Sequence, residues 1–221
     1  TESNNIAIKG AAFAKFPNKN HVITAKTEHE CVLASTRSLE KLGFTVTYLN
    51  VDHDGLIDLD ELKNSITEKT SLVSIMAVNN EIGVLQNIKT IGEICKSTDI
   101  LFHTDAAQAF GKIPLNVNDM NIDLMSISGH KIYGPKGIGA LFVRNGVKVI
   151  PIMDGGGQEN GLRSGTLSPA LCVGLGEASK IALNDMTSDL KHVSKLSKSL
   201  LDILRHKLNN VRLNGSETDR Y

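Results

Sequence analysis

Apolar and polar positions along the chain form two kinds of run, one typical of buried strands and the other of amphipathic helices. Short apolar runs rich in β-branched and aromatic residues predict strands. Longer runs in which apolar residues recur every three or four positions predict helices. The predicted strands are 21–25, 44–49, 71–77, 100–104, 122–128 and 138–143, and the predicted helices are 29–42, 59–66, 87–97, 169–185 and 187–209. This alternation predicts an α/β fold, a three-layer sandwich with a mostly parallel sheet covered by helices.

Both ends of the chain carry polar sequences typical of helix starts or turns. Residues 1–5 place hydroxyls and a carboxylate where the first turn of a helix favours them. Residues 214–221 have the composition of a turn or loop. We therefore expect an internal fragment of a longer protein. In this division, 1–186 form a large, N-terminally truncated domain, and 187–221 form a connecting helix that leads to a small C-terminal domain outside the chain.

The composition is ordinary for a globular protein and excludes several functions. Hydrophobic residues make up 41% and charged residues 22% of the chain. Lys plus Arg and Asp plus Glu number 24 each, so there is no excess of basic residues for nucleic-acid binding. No apolar run approaches the roughly 18 residues that a membrane-spanning helix needs. We expect neither nucleic acid nor a membrane as a partner.

The three cysteines lie far apart, at positions 31, 95 and 172. Their spacing contains no metal-ligand motif, and their odd number argues against a disulfide framework. We therefore expect no metal site and a reducing compartment.

The most distinctive segment is Asp123–Gly137, in which an apolar strand leads into Ser-Gly-His-Lys and a turn built on glycine and proline. A lysine at the end of a buried strand is costly, because desolvation disfavours its charged form. An amine with a lowered pKa reacts readily with a carbonyl to give a Schiff base. Lys131 is therefore a candidate anchor for pyridoxal 5'-phosphate, and Ser128 and His130 are placed to hold the phosphate. The alternative is a surface lysine whose stem alone is buried.

Polar residues also follow the neighbouring predicted strands, and ligands of parallel sheets bind at such strand ends. These residues are Asn79, Asn80 and Glu81 after one strand, and Asp105 and Gln108 after the next. Asp105 is suited to keep a pyridine nitrogen protonated, or alternatively to cap the next helix. His29 is suited to stack on a planar ring and to move protons, or alternatively to be a solvated residue at a helix start.

Two loops also admit more than one interpretation. The glycine-rich residues 155–165 would let backbone amides approach a ligand, and Arg163 within them and Thr166 directly after them suit an anion; the alternative is a flexible connector. Residues 50–61 nearly match a calcium-binding EF-hand loop. An EF-hand needs a helix on each side, and the run before this loop alternates like a strand. We therefore predict a strand–turn–helix connection there.

Taken together, six motifs resemble those of cysteine desulfurases that supply sulfur for iron–sulfur clusters, a group within the class V aminotransferase superfamily of pyridoxal-phosphate fold type I. The motifs are Thr1–Asn5, Thr27–His29, Val78–Gly83, His103–Gln108, Ser128–Gly137 and Arg163–Thr166. They occur in the family's order and extend over essentially the whole chain. The resemblance implies that the protein converts L-cysteine to L-alanine and transfers the sulfur as an enzyme persulfide.

The resemblance also implies a role for each matching residue around the cofactor ring. Lys131 would bind pyridoxal phosphate covalently until cysteine displaces it. His29 would stack on the ring and assist proton transfer, and Asp105 would pair with the pyridine nitrogen. Asn80 and Gln108 would form hydrogen bonds around the phenolic oxygen.

At the other end of the cofactor, the resemblance implies that Thr1, Ser128 and His130 hold the phosphate. Thr166 would reach the phosphate bound by a neighbouring subunit, which implies a homodimer. Asn160 stands where the family usually has Arg after Gln-Glu, and the effect of this departure is left open.

Parts of the implied site lie beyond this chain. The cysteine that forms the persulfide and the arginine that binds the substrate carboxylate would both follow Tyr221. None of the three cysteines present matches the persulfide-forming one. We therefore expect this chain to contain most of the cofactor site but to be inactive alone.

The implied partners are L-cysteine, an iron–sulfur scaffold protein and other sulfur acceptors. Residues 113–120 look more like the mitochondrial group, which favours the mitochondrial matrix over the bacterial cytoplasm. A selenocysteine lyase or an aminotransferase of the same fold would share Lys131, His29 and Asp105. A non-catalytic binding subunit, by contrast, would need only the fold and the loop at 50–61.

Overall fold

A computed structural model describes all 221 residues, with a six-stranded sheet at the centre. The strands are β1 (His21–Ala25), β2 (Thr45–Leu49), β3 (Thr70–Ser74), β4 (Leu101–Asp105), β5 (Leu124–Ser128) and β6 (Gly139–Val143). The helices are α1 (Glu2–Lys15), α2 (Glu30–Glu40), α3 (Leu59–Ser65), α4 (Ile88–Ser97) and α5 (Pro169–Lys207). Each predicted strand is therefore present, and the polar residues at the start of the chain do open a helix.

The strand order is β2-β1-β3-β4-β5-β6. The first five strands are parallel to their neighbours, and β6 is antiparallel to β5. The prediction of a mostly parallel sheet is thus confirmed. The chain crosses from β2 over β1 to β3, so the connections after β1 and β3 leave in opposite directions. Open sheets of this kind have a crevice for ligands outside the carboxyl ends of such strands.

Successive strand residues face opposite sides of the sheet, and each side packs against helices. On one side, Phe102 and its neighbours form a buried cluster with Leu62 of α3 and Ile91 of α4. On the other side, Leu72 belongs to a cluster that includes Ile8 of α1. Burying each such side chain contributes roughly 1.5–3 kcal/mol. The predicted three-layer sandwich is confirmed.

Buried His103 connects the three central strands through side-chain hydrogen bonds. Its Nδ1 lies 2.8 Å from Ser74 Oγ on β3, and its Nε2 lies 3.0 Å from Ser126 Oγ on β5. Burial lowers the pKa of His103 to about 4, although the charge of Asp105 acts in the opposite direction. The imidazole is therefore neutral near pH 7, and it fixes the strand that carries Asp105.

The prediction of two helices at 169–185 and 187–209 is wrong, because α5 is one continuous helix of 39 residues. Ser188 Oγ donates to the Asp185 carbonyl at 2.7 Å, so this hydroxyl bonds back within the helix instead of starting a new one. The domain boundary predicted at 186 falls inside α5 and stays a prediction. Neither α5 nor any other helix combines the length and apolar composition that crossing a bilayer requires.

The acidic segment at residues 50–61 is the predicted strand–turn–helix connection and not an EF-hand. Strand β2 precedes it, where an EF-hand would have a helix. Asp52 Oδ1 accepts hydrogen bonds from the backbone N–H groups of Asp54 and Leu56, and Asp58 caps α3. The carboxylates at these two positions therefore organise a turn and a helix start.

Candidate active site

A cavity of about 960 Å³ lies at the carboxyl ends of the strands. Every site residue predicted from the sequence lines it. These residues are Thr1, His29, Asn80, Asp105, Gln108, Ser128, His130, Lys131 and Thr166. They come from the start of α1, from the last residues of strands or the segments that follow them, and from the end of the glycine-rich loop. The fold therefore brings together positions that are far apart in sequence.

Lys131 lies in a short 3-10 turn, Gly129–Ile132, directly after β5. It is half-buried, and it is the one lysine in the cavity lining. No side-chain hydrogen bond or ion pair engages its Nζ. Ser128 Oγ lies 3.1 Å from His130 Nδ1 at the same turn. A lysine amine next to paired hydroxyl and imidazole groups is the arrangement that the sequence predicts.

Asp105 is buried at the end of β4, with both carboxylate oxygens engaged. Its Oδ1 accepts from the backbone N–H of Ala107 at 2.9 Å, and its Oδ2 accepts from Asn4 Nδ2 at 2.6 Å. A run of turns, not a regular helix, follows β4, and the bond to Ala107 places Asp105 as a cap of the first turn as well as a residue of the cavity. The carboxylate is fixed in orientation at the cavity.

His29 is the N-cap of α2 and also part of the cavity lining. Its Nδ1 accepts from the Cys31 backbone N–H at 3.2 Å. A nitrogen that accepts carries no proton, so the proton of the neutral ring resides on Nε2. The two interpretations of His29, as a helix-start residue and as a site residue, are therefore compatible.

Glu28 anchors the turn that carries His29, although sequence reasoning did not assign it a role. Its side chain is buried, and its Oε1 accepts from the Met76 backbone N–H at 2.7 Å. Its Oε2 is buried without a partner. Burial raises the pKa of Glu28 well above its usual value, and the nearby charge of Asp105 adds to this effect. Glu28 is therefore a neutral acid over a wider pH range than an exposed carboxyl.

The two neighbouring asparagines after β3 have different environments. Asn79 Oδ1 accepts from the backbone N–H groups of Glu81 and Ile82, and its Nδ2 donates to the Thr27 carbonyl. Asn79 therefore shapes the loop and connects it to the turn before α2. Asn80 is exposed and lines the cavity, so of these two it is the one available to a ligand.

Gln108 is positioned by Lys112, a second residue that sequence reasoning missed. Lys112 Nζ donates to Gln108 Oε1 at 2.8 Å and lies 5.5 Å from the centre of the Tyr221 ring. Burial lowers the pKa of Lys112, and the positive charge of Lys131 lowers it further. Lys112 follows Gln108 by four residues, so an i, i+4 polar pair was the signal available in the sequence.

The glycine-rich loop brings Thr166 to the cavity, while Arg163 is engaged elsewhere. Arg163 Nε donates to Glu2 Oε1 at 2.5 Å, and this contact lowers the pKa of Glu2. Thr166 lines the cavity of its own chain; which subunit's cofactor it would contact stays a prediction. Asn160 has φ 55° and ψ 32°, a left-handed conformation that asparagine adopts more readily than arginine.

The three cysteines are free and differ in environment. Cys95 is buried in the core, and burial raises its pKa to about 12. Cys31 is half-buried and Cys172 is exposed, and both line the cavity. Cys95 is therefore unsuited to reaction as a thiolate.

The groups around the cavity fit pyridoxal phosphate. Lys131 offers an amine for its aldehyde, Asp105 a carboxylate for its ring nitrogen and His29 a flat ring for stacking. Thr1 is the N-cap of α1 and makes no side-chain capping bond, so its hydroxyl is available to an anion. The start of α1, beside Ser128 and His130, suits a phosphate.

Comparisons with known proteins found a matching family model and several similar proteins. The family model described as aminotransferase class-V matches residues 1–221. The cysteine desulfurase IscS of Rickettsia bellii is 56% identical over 223 residues, covering 100% of this chain and 54% of that protein. A probable mitochondrial cysteine desulfurase of Dictyostelium discoideum is 60% identical over 223 residues, covering 100% of this chain and 50% of that protein.

A solved structure is similar as well. It is described as SspA in complex with cysteine, and it matches with a TM-score of 0.78 and 51% identity. The match covers 81% of this chain and 52% of that chain. The present chain spans about half the length of the curated relatives it matches.

Proposed function

Because the chain belongs to the class V aminotransferase family, we propose that it is part of a pyridoxal-phosphate-dependent cysteine desulfurase. The reaction converts L-cysteine to L-alanine and passes the sulfur to an enzyme cysteine as a persulfide, for iron–sulfur cluster assembly and related thiolation. One observation carries this proposal. The one lysine of the cavity lining, Lys131, shares that cavity with Asp105 and His29.

In this proposal, three residues of the chain divide the work around the ring. Pyridoxal phosphate, when bound, supplies an electron-withdrawing ring that makes the bonds at the α-carbon of an amino acid labile. Lys131 holds the cofactor through its amine, and the released amine is placed to accept a proton. Asp105, held at both oxygens, keeps a proton on the ring nitrogen. His29 packs on the ring and presents a protonated Nε2 to the cavity.

The remaining residues of the proposed site bind and orient. Thr1, Ser128 and His130 provide hydrogen-bond donors for the phosphate. Asn80 and Gln108 provide side-chain amides for the phenolic oxygen, with Gln108 held in place by Lys112.

We further propose that the protein completes its active site with residues outside this chain. The half-length coverage of the relatives supports a larger whole protein. Within it we place a large cofactor domain at 1–186 and a small domain reached through 187–221. The persulfide-forming cysteine and the arginine for the substrate carboxylate belong to that additional part. Thr166 reaches the site of a second subunit, so the active protein is a homodimer, and a scaffold protein for iron–sulfur clusters receives the sulfur.

The names of the relatives support two locations. One is called mitochondrial, and another belongs to a bacterium. We propose the mitochondrial matrix, with the bacterial cytoplasm as the alternative.

The test is an assay of the complete protein, loaded with pyridoxal phosphate and supplied with L-cysteine. We expect alanine and, with a reducing thiol present, sulfide in equal amounts. Lys131→Ala removes the amine and is expected to reduce turnover by at least about 10³-fold. Lys136→Ala, a lysine five residues further on that does not line the cavity, is the matched control and retains activity. Release of selenide from selenocysteine with no turnover of cysteine would instead indicate a selenocysteine lyase. Transamination with no sulfide would indicate an aminotransferase.

A further inference from the structure

We propose that Asn4 is a positioning residue of the cofactor site, because it connects Asp105 to Cys31 and, through Cys31, to His29. The proposal rests on the proposed function for its role toward the cofactor. Its geometry concerns the side chains of this chain alone.

The first part of the connection is the amide of Asn4. Asn4 lies in the first turn of α1 and is 3% exposed. Its Nδ2 donates to Asp105 Oδ2 at 2.6 Å and to Cys31 Sγ at 3.0 Å. An asparagine amide carries two N–H donors, so both bonds form at once. The amide orientation is determined as well, because the opposite one would place its oxygen against the Asp105 carboxylate.

The second part is the contact between Cys31 and His29. Cys31 Sγ lies 3.0 Å from His29 Nδ1. The same Nδ1 accepts from the Cys31 backbone N–H, so the thiol is the donor in the Sγ–Nδ1 contact. The thiol accepts from Asn4 and donates to His29. The direction of every hydrogen bond from the carboxylate to the imidazole is thereby defined.

This network fixes two groups that the cofactor needs. Asp105 Oδ1 is held by the Ala107 backbone, and Asn4 supplies the bond that holds Oδ2. Without it, Oδ2 loses its partner and the Ala107 N–H alone restrains rotation of the carboxylate about its Cβ–Cγ bond. The Cys31 backbone N–H leaves the proton of neutral His29 on Nε2, and the Cys31 thiol, held by Asn4, is a second donor toward Nδ1. Asn4 thus acts through other residues and is not itself a catalytic residue.

The experiment compares Asn4→Ala with Asn5→Ala in the complete protein. Asn5 is the matched control, since it is the next residue of α1, does not line the cavity and bonds only the Thr1 carbonyl. A hydrogen bond to a charged group is worth about 1.5–3 kcal/mol, so we expect Asn4→Ala to weaken pyridoxal-phosphate binding about tenfold or more. Asn5→Ala is expected to change it less than about twofold.

Two further measurements distinguish positioning from a merely structural role. In Asn4→Ala the visible absorbance of the bound cofactor is expected to change with pH differently from the unmutated protein, because Asp105 Oδ2 has lost its hydrogen-bond donor. Alkylation of Cys31 by iodoacetamide, followed by peptide mass spectrometry, is expected to be several-fold faster. Unchanged cofactor affinity, pH profile and alkylation rate in Asn4→Ala would overturn the proposal, whatever its melting temperature.

If Asn4→Ala does not fold, Asn4→Ser is measured in the same three ways, and an unchanged affinity, pH profile and alkylation rate overturn the proposal. Nitrogen-15 NMR of His29 in the unmutated protein is an added check, because a proton on Nδ1 would reverse the Cys31–His29 hydrogen bond and also overturn the proposal. Neither this measurement nor the alkylation needs the cofactor. Failure of the unmutated protein to bind pyridoxal phosphate would therefore count against the proposed function and leave the test of the network in place.

Discussion

Helices α1 and α5 both contribute to the cavity, but they are held in the molecule in different ways. Seven of the 14 residues of α1 are buried, and the helix packs on α2 and on the central strands. None of the 39 residues of α5 is buried. Several apolar side chains of α5 are largely exposed, among them Val173 at 73% and Leu183 at 70%.

This difference divides the cavity into two walls. Asn4 on α1 and Asp105 on β4 belong to the wall built on the packed core, where neighbouring side chains fix their orientation. Cys172 and Leu175 on α5 belong to the other wall, where the residues of the helix are not buried by the rest of this chain. Residues proposed to act on the cofactor ring lie mainly on the first wall. Preorganisation of the site therefore depends on core packing, and the predictions below test that dependence.

The largest expected effect is the loss of stability when a buried side chain of α1 is shortened. Ile8 is fully buried, so Ile8→Ala leaves a cavity and is expected to lower the free energy of unfolding by about 4 kcal/mol. The matched change on α5 is Leu200→Ala, at a side chain that is 59% exposed, and it is expected to cost below about 0.5 kcal/mol. Denaturant unfolding of the 221-residue chain measures both. Equal losses would show that α5 is packed as firmly as α1.

A somewhat smaller effect is expected from acid, through His103. Its folded-state pKa lies below the unfolded value of 6.5, so the unfolded chain takes up a proton first as the pH falls. The contribution of His103 to the free energy of unfolding is fully present above pH 6.5. It decreases as the pH falls toward 4, by up to about 3 kcal/mol. Unfolding curves between pH 7 and pH 4 measure this loss.

Helix α5 provides the control for this pH dependence. His103→Gln is expected to remove the decrease in the free energy of unfolding between pH 6.5 and pH 4 that His103 causes. The matched control is His192→Gln, at an exposed side chain of α5. An identical pH slope in His103→Gln and the unmutated protein would contradict the account.

The smallest expected effect concerns the helix caps. Asn87 caps α4 by accepting from the Thr90 backbone N–H at 3.2 Å, so Asn87→Ala is expected to cost about 1 kcal/mol. Ser168 is the N-cap of α5 and makes no side-chain capping bond, so Ser168→Ala is expected to change stability by less than about 0.3 kcal/mol. Thermal unfolding of the two variants, compared at the same pH, measures the difference. A larger loss in Ser168→Ala than in Asn87→Ala would contradict the assignment of the caps.

Much of the fold is predictable from the sequence, because local patterns determine it. The strand at 21–25 is predicted with its observed bounds, since a short apolar run leaves few alternatives. Helix α5 is the exception. The sequence predicts a new helix from residue 187, but the Ser188 hydroxyl bonds within α5, and no glycine or proline lies between Glu177 and Lys207. Whether a helix continues through a serine depends on the hydrogen bond that the hydroxyl makes, and the residue type alone does not show which bond forms.

The site is predictable to the extent that its residues belong to recognisable motifs at strand ends. Asn4 lies in the motif at the start of α1, yet its proposed role depends on a contact with Asp105, 101 residues away. The same holds for Glu28, whose partner Met76 lies 48 residues away. Contacts at such separations are determined by strand order and packing, and no local pattern of residues encodes them.

The proposal that Lys131 binds pyridoxal phosphate is tested most directly by locating the lysine that carries the cofactor. The complete protein is incubated with pyridoxal phosphate, reduced with borohydride and digested, and the labelled peptide is identified by mass spectrometry. The account predicts a single phosphopyridoxyl group on Lys131 and none in Lys131→Ala. A label on Lys112 or another lysine, or no label at all, would contradict it.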